Sequence, residues 1–326
     1  MISFRKSALS ICFATLIGSV SATAVAQELK AADVHPEGYP TVVAVQNMGK
    51  KLEAATNGRI KLKMYPNMAL GDEKSMIEQT QAGGIDILRT SLGPMGPVVP
   101  DVNVFNMPFV FRNAAHMRAV IDGPIGDEIL KKISDSSVNL VGLAWMDGGT
   151  RNLYSKKAVR KPADLGGQKI RMMGNPLFVD TMNAMGGSGV SMGMAELFSS
   201  MQTGVVDGAE NNEPTYVTQN HFTVAKYYNR TAHLIIPEVL VFSKAKFNKL
   251  SAEDQALVRK LAREAQLEQR KLWDEKVADS LAKMKAAGVT IVEDVDQPAF
   301  FKATQPVRDK YGAAYADLIN RIQAVK

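Results

Sequence analysis

The sequence contains a single cysteine, Cys12, among its 326 residues. Cys12 lies in an N-terminal segment that we expect to be removed, so the mature protein is predicted to hold no thiol nucleophile, disulfide or cysteine metal site. A lipid anchor on Cys12 is disfavoured, because bulky Ile11 stands where a small residue is needed. The four histidines, at positions 35, 116, 221 and 233, show no metal-ligand spacing such as H-E-x-x-H. We therefore predict no metal and no cofactor.

The glycine motifs of nucleotide-binding enzymes and serine hydrolases are missing as well. No P-loop or dinucleotide-binding pattern is present. The segment Gly186-Gly187-Ser188-Gly189 is not a nucleophile turn, because the G-x-S-x-G pattern would need glycine at Val190. These absences favour binding without chemistry over catalysis, and no catalytic residue is predicted.

Long apolar runs are absent beyond the N-terminus. Arg5 and Lys6 precede an apolar stretch from Ala8 to Val20, which predicts a signal peptide over residues 1–26, cleavage before Gln27 and export to the periplasm. No later stretch reaches the ~20 apolar residues of a membrane-spanning helix. The mature chain is therefore expected to be soluble.

An excess of one charge sign is also missing. The chain has 39 basic and 33 acidic residues, and removal of Arg5 and Lys6 leaves a net charge of +4 with both signs mixed along the sequence. Nucleic acid is therefore not an expected partner. The roughly 300 mature residues are enough for two cores, since domains run to about 100–200 residues.

The first part of the chain alternates between helical and strand periodicity. Apolar residues at helical spacing predict a helix over Pro40–Thr56, and alternation predicts a strand over Arg59–Tyr65. A second helix, Asp72–Ala82, precedes a short apolar strand, Ile85–Leu88. Strands separated by helices indicate an α/β fold with a parallel sheet. The same pattern continues with helices near 114–121, 125–133, 176–185 and 195–201 and strands at 138–145 and 169–171.

The most informative helix is predicted from Ser251 to Ala287, because neither proline nor glycine occurs until Gly288. Roughly 37 helical residues would extend about 55 Å, more than the diameter of one small domain. Such a helix must bridge two lobes or kink. Two helices joined by a turn near Gln269 are the alternative that the sequence leaves open.

Several segments resemble the substrate-binding proteins of tripartite ATP-independent periplasmic (TRAP) transporters, the DctP-like family. The similarity covers essentially the whole mature chain. The segments that carry it are Leu70-Gly71-Asp72-Glu73, Met107-Pro108-Phe109-Val110-Phe111, Gly149-Thr150-Arg151, the run from Ala163 to Arg171, the run from Gly204 to Asn212, and Pro237-Glu238-Val239-Leu240-Val241.

This resemblance implies a two-lobed periplasmic-binding-protein clamshell in which both lobes are discontinuous. Lobe I is expected to comprise residues 27–148 and 237–276, and lobe II residues 149–236 and 277–326, with the long helix bracing both. The resemblance also implies that ligand binding closes the lobes. The closed form then delivers its ligand to membrane permease subunits driven by an ion gradient.

The resemblance further implies a carboxylate site formed by Arg171, Arg151 and Asn211, with Arg171 making a two-pronged salt bridge. The residues themselves support this prediction. Arg171 closes a predicted strand and Asn175 begins the next helix, where backbone N–H groups favour an anion. Asn212 stands beside Asn211 in a strand-end loop, where turn chemistry explains it as well as ligand binding does.

Three further residues are expected at the other end of the ligand, where the first lobe faces the cleft: His35, Glu73 and Arg89. Their polar groups suit a hydroxyl-rich ligand better than a fatty or aromatic acid. The sequences around His35 and Asn211 resemble the subgroup that binds uronates and aldonates. The identity of the sugar stays open, because Met172 and Met173 follow Arg171 where close members are often more polar.

The predicted function is therefore capture of a sugar acid, such as D-glucuronate, D-galacturonate or an aldonate, for a TRAP permease. One alternative keeps the fold but binds another organic acid, such as a dicarboxylate, a sialate or a keto acid. Another is a periplasmic uronate lyase or isomerase with His35 or Glu73 as base. Whether Met194 or Glu238 lines the cleft is also left open.

Overall fold

The computed structural model describes residues 27–326, and the predicted signal peptide lies outside these described residues. Within them, the strands are β1 (Gln27–Ala32), β2 (Ile60–Tyr65), β3 (Ile87–Ser91), β4 (Leu140–Ser155), β5 (Lys169–Met172), β6 (Ser188–Ser191), β7 (Gly208–Asn211), β8 (Tyr227–Ser243) and β9 (Thr290–Val292). The α-helices are α1 (Pro40–Ala55), α2 (Glu73–Ala82), α3 (Leu92–Met95), α4 (Ala114–Asp122), α5 (Pro124–Asp135), α6 (Pro176–Ala184), α7 (Met194–Thr203), α8 (Glu213–Thr218), α9 (Lys244–Phe247), α10 (Ala252–Ala286), α11 (Gln297–Ala303), α12 (Gln305–Gly312) and α13 (Ala316–Ala324). None of these helices is both long and apolar enough to cross a membrane.

The strands form one mixed sheet in the order β2-β1-β3-β8-β4-β7-β5-β6, with β9 paired to β8. Strands β2, β1 and β3 are parallel at one end, and β7, β5 and β6 are parallel at the other. The central strands β4 and β8 run antiparallel to each other and to their outer neighbours. The predicted parallel sheet is therefore correct for the outer strands and wrong for the centre, where β8 pairs antiparallel with β3, β4 pairs antiparallel with β7, and β4 and β8 pair antiparallel with each other.

The ladder between β4 and β8 is interrupted where β4 passes the long helix. Its register shifts between Asp147 and Thr150. Gly149 has a φ of +72°, and a Cβ there would lie 2.6 Å from the Trp273 ring of α10. Glycine is required at this position, since it alone combines the left-handed backbone with so close an approach.

Separate apolar clusters cover the two halves of the sheet. One includes Leu52, Val141 and Leu261, and packs α1 and α10 against the sheet. Another includes Tyr154, Met201 and Tyr216, and packs α7 and α8 in the other half. Burial of these side chains is the main contribution to the stability of each half.

Helix α10 is a single element of 35 residues, with the Ser251 side chain capping its first turn. The alternative of a turn near Gln269 is therefore wrong. Gln269 is buried inside the helix, and its side-chain amide bonds both backbone groups of Asp147, at 2.8 and 3.0 Å. These two bonds hold β4 against α10 just before the register shift.

Two predicted strand boundaries are corrected by the structure. The strand predicted at Ile85–Leu88 is observed two residues later, so Arg89 is the central residue of β3 rather than the residue after it. Strand β4 continues past the predicted end at Trp145, which places Arg151 inside it. Both arginines can occupy buried strands because carboxylates on neighbouring elements neutralise them.

The C-terminal helix packs against elements of the predicted first lobe. His116 of α4 is buried, and its Nε2 lies 2.9 Å from the Ile322 carbonyl oxygen of α13. Arg321 of α13 forms an ion pair with Glu128 of α5 at 2.7 Å. The predicted division placed residues 277–326 in the second lobe, and within that division these contacts of α13 reach across to the first lobe.

Candidate functional site

Arg171 is a buried guanidinium that has no carboxylate partner among residues 27–326. It lies in β5, is 3% exposed, and donates from Nε to the Met192 carbonyl oxygen at 2.7 Å. Its Nη1 has no hydrogen-bond partner among residues 27–326, and none of the described carboxylates lies within 4.0 Å of it. Burial accordingly lowers the pKa of Arg171 below its ordinary value. A charge enclosed in this way is costly unless an anion approaches it.

Arg151 differs from Arg171 because the protein supplies its counter-ion. From β4 it donates to both carboxylate oxygens of Glu210 in β7, at 2.5 and 2.8 Å. Its Nη1 also donates to Asn211 Oδ1 at 3.0 Å. The β4–β7 register, which pairs Asn152 with Asn211, brings these residues together. Arg151 therefore orients Asn211, whose amide nitrogen donates no hydrogen bond within the described part of the chain.

Arg89 is the centre of a second buried ion cluster. Its guanidinium bonds Asp33, donates to Glu238 Oε2 at 2.5 Å, and lies 3.5 Å from Glu73 Oε1. Glu73 begins α2 and also accepts a hydrogen bond from the Ser91 N–H at 2.8 Å. Only Nε of Arg89 is left without a partner among the described residues.

Glu238 lies in β8, opposite Ser91 in the ladder between β3 and β8 and two residues along β3 from Arg89. Burial raises the pKa of this carboxyl to about 7; Arg89 opposes the shift, and the neighbouring carboxylate of Glu73 adds to it. A Cβ on Gly148 would lie 2.6 Å from Glu238 Oε1. Glu238 thus joins the cluster to the irregular segment of β4.

His35 is held beside this cluster by its backbone and its ring face. Its N–H donates to Asp33 Oδ1 at 2.9 Å, and its ring stacks on Tyr39 at a centroid distance of 3.7 Å. The ring atom Nδ1 is buried and has no hydrogen-bond partner in the described chain. Burial, with Arg89 nearby, lowers the pKa of His35 to about 3, so the ring is neutral at neutral pH.

The two remaining predicted residues are occupied by contacts within the protein. Asn175 caps α6 and donates to the Gly93 carbonyl at 3.0 Å and to Asn103 Oδ1 at 2.9 Å. Asn212 caps α8 and donates to the Gly148 carbonyl at 2.7 Å. Both asparagines therefore connect segments that lie far apart in the sequence.

A cavity of about 810 Å³ joins several of these side chains. Of the predicted residues, Arg171, Asn175 and Glu73 line it, together with Met194. Arg151, Asn211, Asn212, His35 and Arg89 do not line this cavity and are buried beside the central strands. Among the described residues, no group of three or more side chains suited to hold a metal ion was found.

Sequence reasoning missed the carboxylates that hold the arginines. Glu210 directly precedes Asn211, and Asp33 stands two residues before His35, so both lie in segments that were already noted. Their roles depend on which strands are neighbours in the sheet. Glu210 is 59 residues from Arg151 and Glu238 is 149 residues from Arg89.

Residues 31–314 match the family described as "Bacterial extracellular solute-binding protein, family 7". The chain is similar to a TRAP periplasmic solute-binding protein from Pseudomonas putida F1, solved with bound D-glucuronate. The two are 61% identical, with a TM-score of 0.91 over 92% of this chain and 97% of that one. A TRAP solute-binding protein from a Bradyrhizobium species, solved with D-galacturonate, is 44% identical, with a TM-score of 0.89 over 91% of this chain and 99% of that one.

A third relative, from Citrobacter koseri, has been solved in two states and is 52% identical to this chain. With bound D-glucuronate its TM-score is 0.91, over 92% of this chain and 100% of that one. In an apo, open structure the TM-score is 0.81, over 91% and 99%. The structure described here is thus more similar to the ligand-bound form than to the open form.

Proposed function

Because this chain belongs to the bacterial extracellular solute-binding proteins of family 7, we propose that it captures a hexuronate in the periplasm and delivers it to a TRAP permease. The observation that carries the proposal is the buried guanidinium of Arg171, which has no carboxylate partner in the described part of the chain. A ligand carboxylate would supply the missing anion in a two-pronged contact. The other buried arginines, Arg89 and Arg151, already have carboxylates from the protein.

The carboxylate end of the ligand is proposed to contact Arg171 and the amide of Asn211. Arg151 holds Asn211 in place through the hydrogen bond to its side-chain oxygen. Asn175 and Asn212 are proposed to lie at the rim of this site. Each holds in place the two segments that its hydrogen bonds connect. Removal of any of these groups would weaken the binding of every carboxylate ligand, because they do not distinguish the rest of the molecule.

The hydroxyl end is proposed to contact His35, Glu73 and Arg89. His35 Nδ1 and Arg89 Nε are buried without partners among the described residues, so each is available to a ligand hydroxyl. A site of this kind rejects ligands that lack the hydroxyls, since its own polar groups would stay unpaired.

D-Glucuronate is the proposed ligand. It is bound in the relatives at 61% and 52% identity, whereas the relative at 44% identity holds D-galacturonate. The two sugars differ only in one hydroxyl configuration. The 4-epimer is therefore the sharpest competitor against which the proposal can be tested.

The chain is proposed to work as a binding protein and not as an enzyme. A base role for His35 is disfavoured, because burial lowers its pKa to about 3 and the neutral ring is then a weak base. The two-lobed division is retained as a proposal, with its boundary at the interrupted ladder near Gly148-Gly149 and with α13 reassigned to the first lobe.

Thermal unfolding tests this function, with protein freed of ligand by unfolding and refolding. D-Glucuronate at 100 times its dissociation constant should stabilise the fold by about 2.7 kcal/mol. D-Glucose, which carries a hydroxymethyl group in place of the carboxylate, should have no effect. Chromatography with mass analysis should recover the ligand unchanged, whereas a product of lower mass would indicate a lyase and a product of equal mass but different retention an isomerase. A larger shift with succinate than with either uronate would contradict the sugar-acid assignment.

A further inference from the structure

Tyr39 and Thr215 form a buried contact between segments that are 176 residues apart. The Tyr39 hydroxyl lies 2.9 Å from Thr215 Oγ1, and both side chains are at most 1% exposed. Tyr39 belongs to the proposed first lobe, while Thr215 lies in α8 of the proposed second lobe. The contact therefore joins the two lobes in this structure.

Thr215 is itself firmly placed. Its N–H donates to Asn212 Oδ1 at 2.8 Å, and Asn212 in turn donates to the Gly148 carbonyl. The hydroxyl that meets Tyr39 is thus connected to the interrupted part of β4. On its other side, the Tyr39 ring meets the edge of Trp273, at a centroid distance of 6.1 Å.

Tyr39 carries the ring of His35 on its face. The two rings are 3.7 Å apart and inclined by 11°, which is a stacked arrangement. The backbone of His35 is held at both groups, since its N–H donates to Asp33 and its carbonyl accepts from the Asn67 N–H at 2.7 Å. Its ring has no hydrogen bond to any described residue, so the imidazole is oriented by packing, in which the stack on Tyr39 covers one face of the ring.

We propose that Tyr39 is a positioning residue. The hydrogen bond between its hydroxyl and that of Thr215, which we call the lock, fixes the Tyr39 ring, and the stacked ring directs a ring nitrogen of His35 at a ligand hydroxyl. This inference rests on the proposed function, because it concerns the hydroxyl end of the same site. Tyr39 does not touch the ligand in this account. It acts through His35, and its lock comes from the opposite lobe, so recognition of the hydroxyls depends on lobe geometry.

A double-mutant cycle on D-glucuronate affinity tests the proposal, with calorimetry on ligand-free protein. Tyr39→Phe keeps the stack and removes the lock, and Thr215→Val removes the same lock from the other side. Each should weaken binding about fivefold, the effect of one buried hydrogen bond. In a His35→Ala background the same substitutions should change affinity less than twofold, because the group that they position is gone.

A merely structural role for Tyr39 would give the same loss with and without His35, and that additive result would overturn the inference. Tyr216→Phe is the matched control. Tyr216 follows Thr215 in α8, and its buried hydroxyl donates to the Ala225 carbonyl oxygen at 2.6 Å. The substitution removes this hydroxyl and should leave D-glucuronate affinity unchanged in both backgrounds. Far-ultraviolet circular dichroism checks that each variant is folded.

The outcome also separates this inference from the proposed function. If wild-type protein binds D-glucuronate and the losses of affinity are the same with and without His35, only the role of Tyr39 is overturned. Wild-type protein that binds no hexuronate overturns both. Equal losses of D-glucuronate affinity in Tyr39→Phe and Thr215→Val, which disappear in the His35→Ala background, support both the proposed function and the role of Tyr39.

Discussion

Arg151 and Glu210 form a two-pronged ion pair inside the protein, with Nε and Nη2 of the arginine 2.5 and 2.8 Å from the two carboxylate oxygens. Both side chains are at most 3% exposed. No such pair exists for Arg171 among the described residues, although the two arginines lie on neighbouring parts of the sheet. The protein thus neutralises the guanidinium of Arg151, whereas the described residues provide no carboxylate for that of Arg171.

The two arginines should therefore differ in their effect on the stability of the ligand-free protein. Arg151→Met should lower the free energy of unfolding by about 3–5 kcal/mol, because Glu210 would remain as a buried, unpaired charge. Arg171→Met should not lower the free energy of unfolding, since it removes a buried charge that has no counter-ion among the described residues. Urea unfolding measures both values. Equal losses in the two variants would contradict the contrast.

Glu73 should control selectivity more than it controls affinity for a bare carboxylate. Glu73→Ala removes an acceptor from the hydroxyl end while Arg171 and Asn211 still hold the anion. The preference for D-glucuronate over succinate should fall by about tenfold or more, within the range for a lost hydrogen-bond partner. Competition titrations measure the ratio, with Glu53→Ala on the surface of α1 as control. A ratio unchanged in Glu73→Ala would remove this residue from the hydroxyl site.

Ligand should convert an open form into the compact form described here. The greater similarity to the D-glucuronate complex of the Citrobacter koseri relative than to its open form motivates this expectation. Small-angle scattering of refolded protein should show a radius of gyration that decreases on addition of D-glucuronate, as hinge closure requires. A radius that is the same with and without saturating ligand would indicate a rigid protein.

Glu238 should make stability depend on pH. Burial raises its pKa from 4.5 to about 7 in the folded protein. The folded state therefore keeps a proton that the unfolded state loses, and this stabilisation is complete below pH 4.5 and is lost as the pH rises to 7.

The glutamine side chain of Glu238→Gln is neutral at every pH. The free energy of unfolding of this variant should therefore increase relative to that of wild type between pH 4.5 and pH 7. The gain is at most about 1.4 kcal/mol for each pH unit. Urea unfolding at pH 5 and pH 7 measures this difference. A difference that does not change with pH, or that shifts in favour of wild type as the pH rises, would contradict a raised pKa.

Local features of the fold could be predicted from the sequence because they depend on neighbouring residues. The absence of glycine and proline over α10 predicted one long helix, and Arg171 was correctly placed at the end of β5. Helical spacing located α1 and α2 to within one residue at each end. These features need only periodicity and capping signals.

The ion pairs could not be predicted in this way, because they depend on strand order. Arg89 was expected to face the ligand, yet the β3–β8 ladder places Glu238 opposite Ser91, two residues along β3 from Arg89, and Asp33 approaches from the position directly after β1. The antiparallel centre of the sheet was missed for the same reason. No local pattern shows that β4 and β8 are neighbours. Their ladder begins with Leu140 opposite Ser243 and ends with Ser155 opposite Tyr227.

The most direct test of the account is calorimetric titration of D-glucuronate into ligand-free wild type and the Arg171→Ala and Arg171→Lys variants, with the exposed Arg160→Ala as control. We predict that Arg171→Ala weakens binding by roughly 2–5 kcal/mol, because the enclosed carboxylate would lose its partner. Arg171→Lys should not restore full affinity, since an ammonium group cannot make the two-pronged contact. Arg160→Ala should bind as wild type does. Wild-type affinity for D-glucuronate in either Arg171 variant would contradict the claim that this guanidinium holds the ligand's carboxylate.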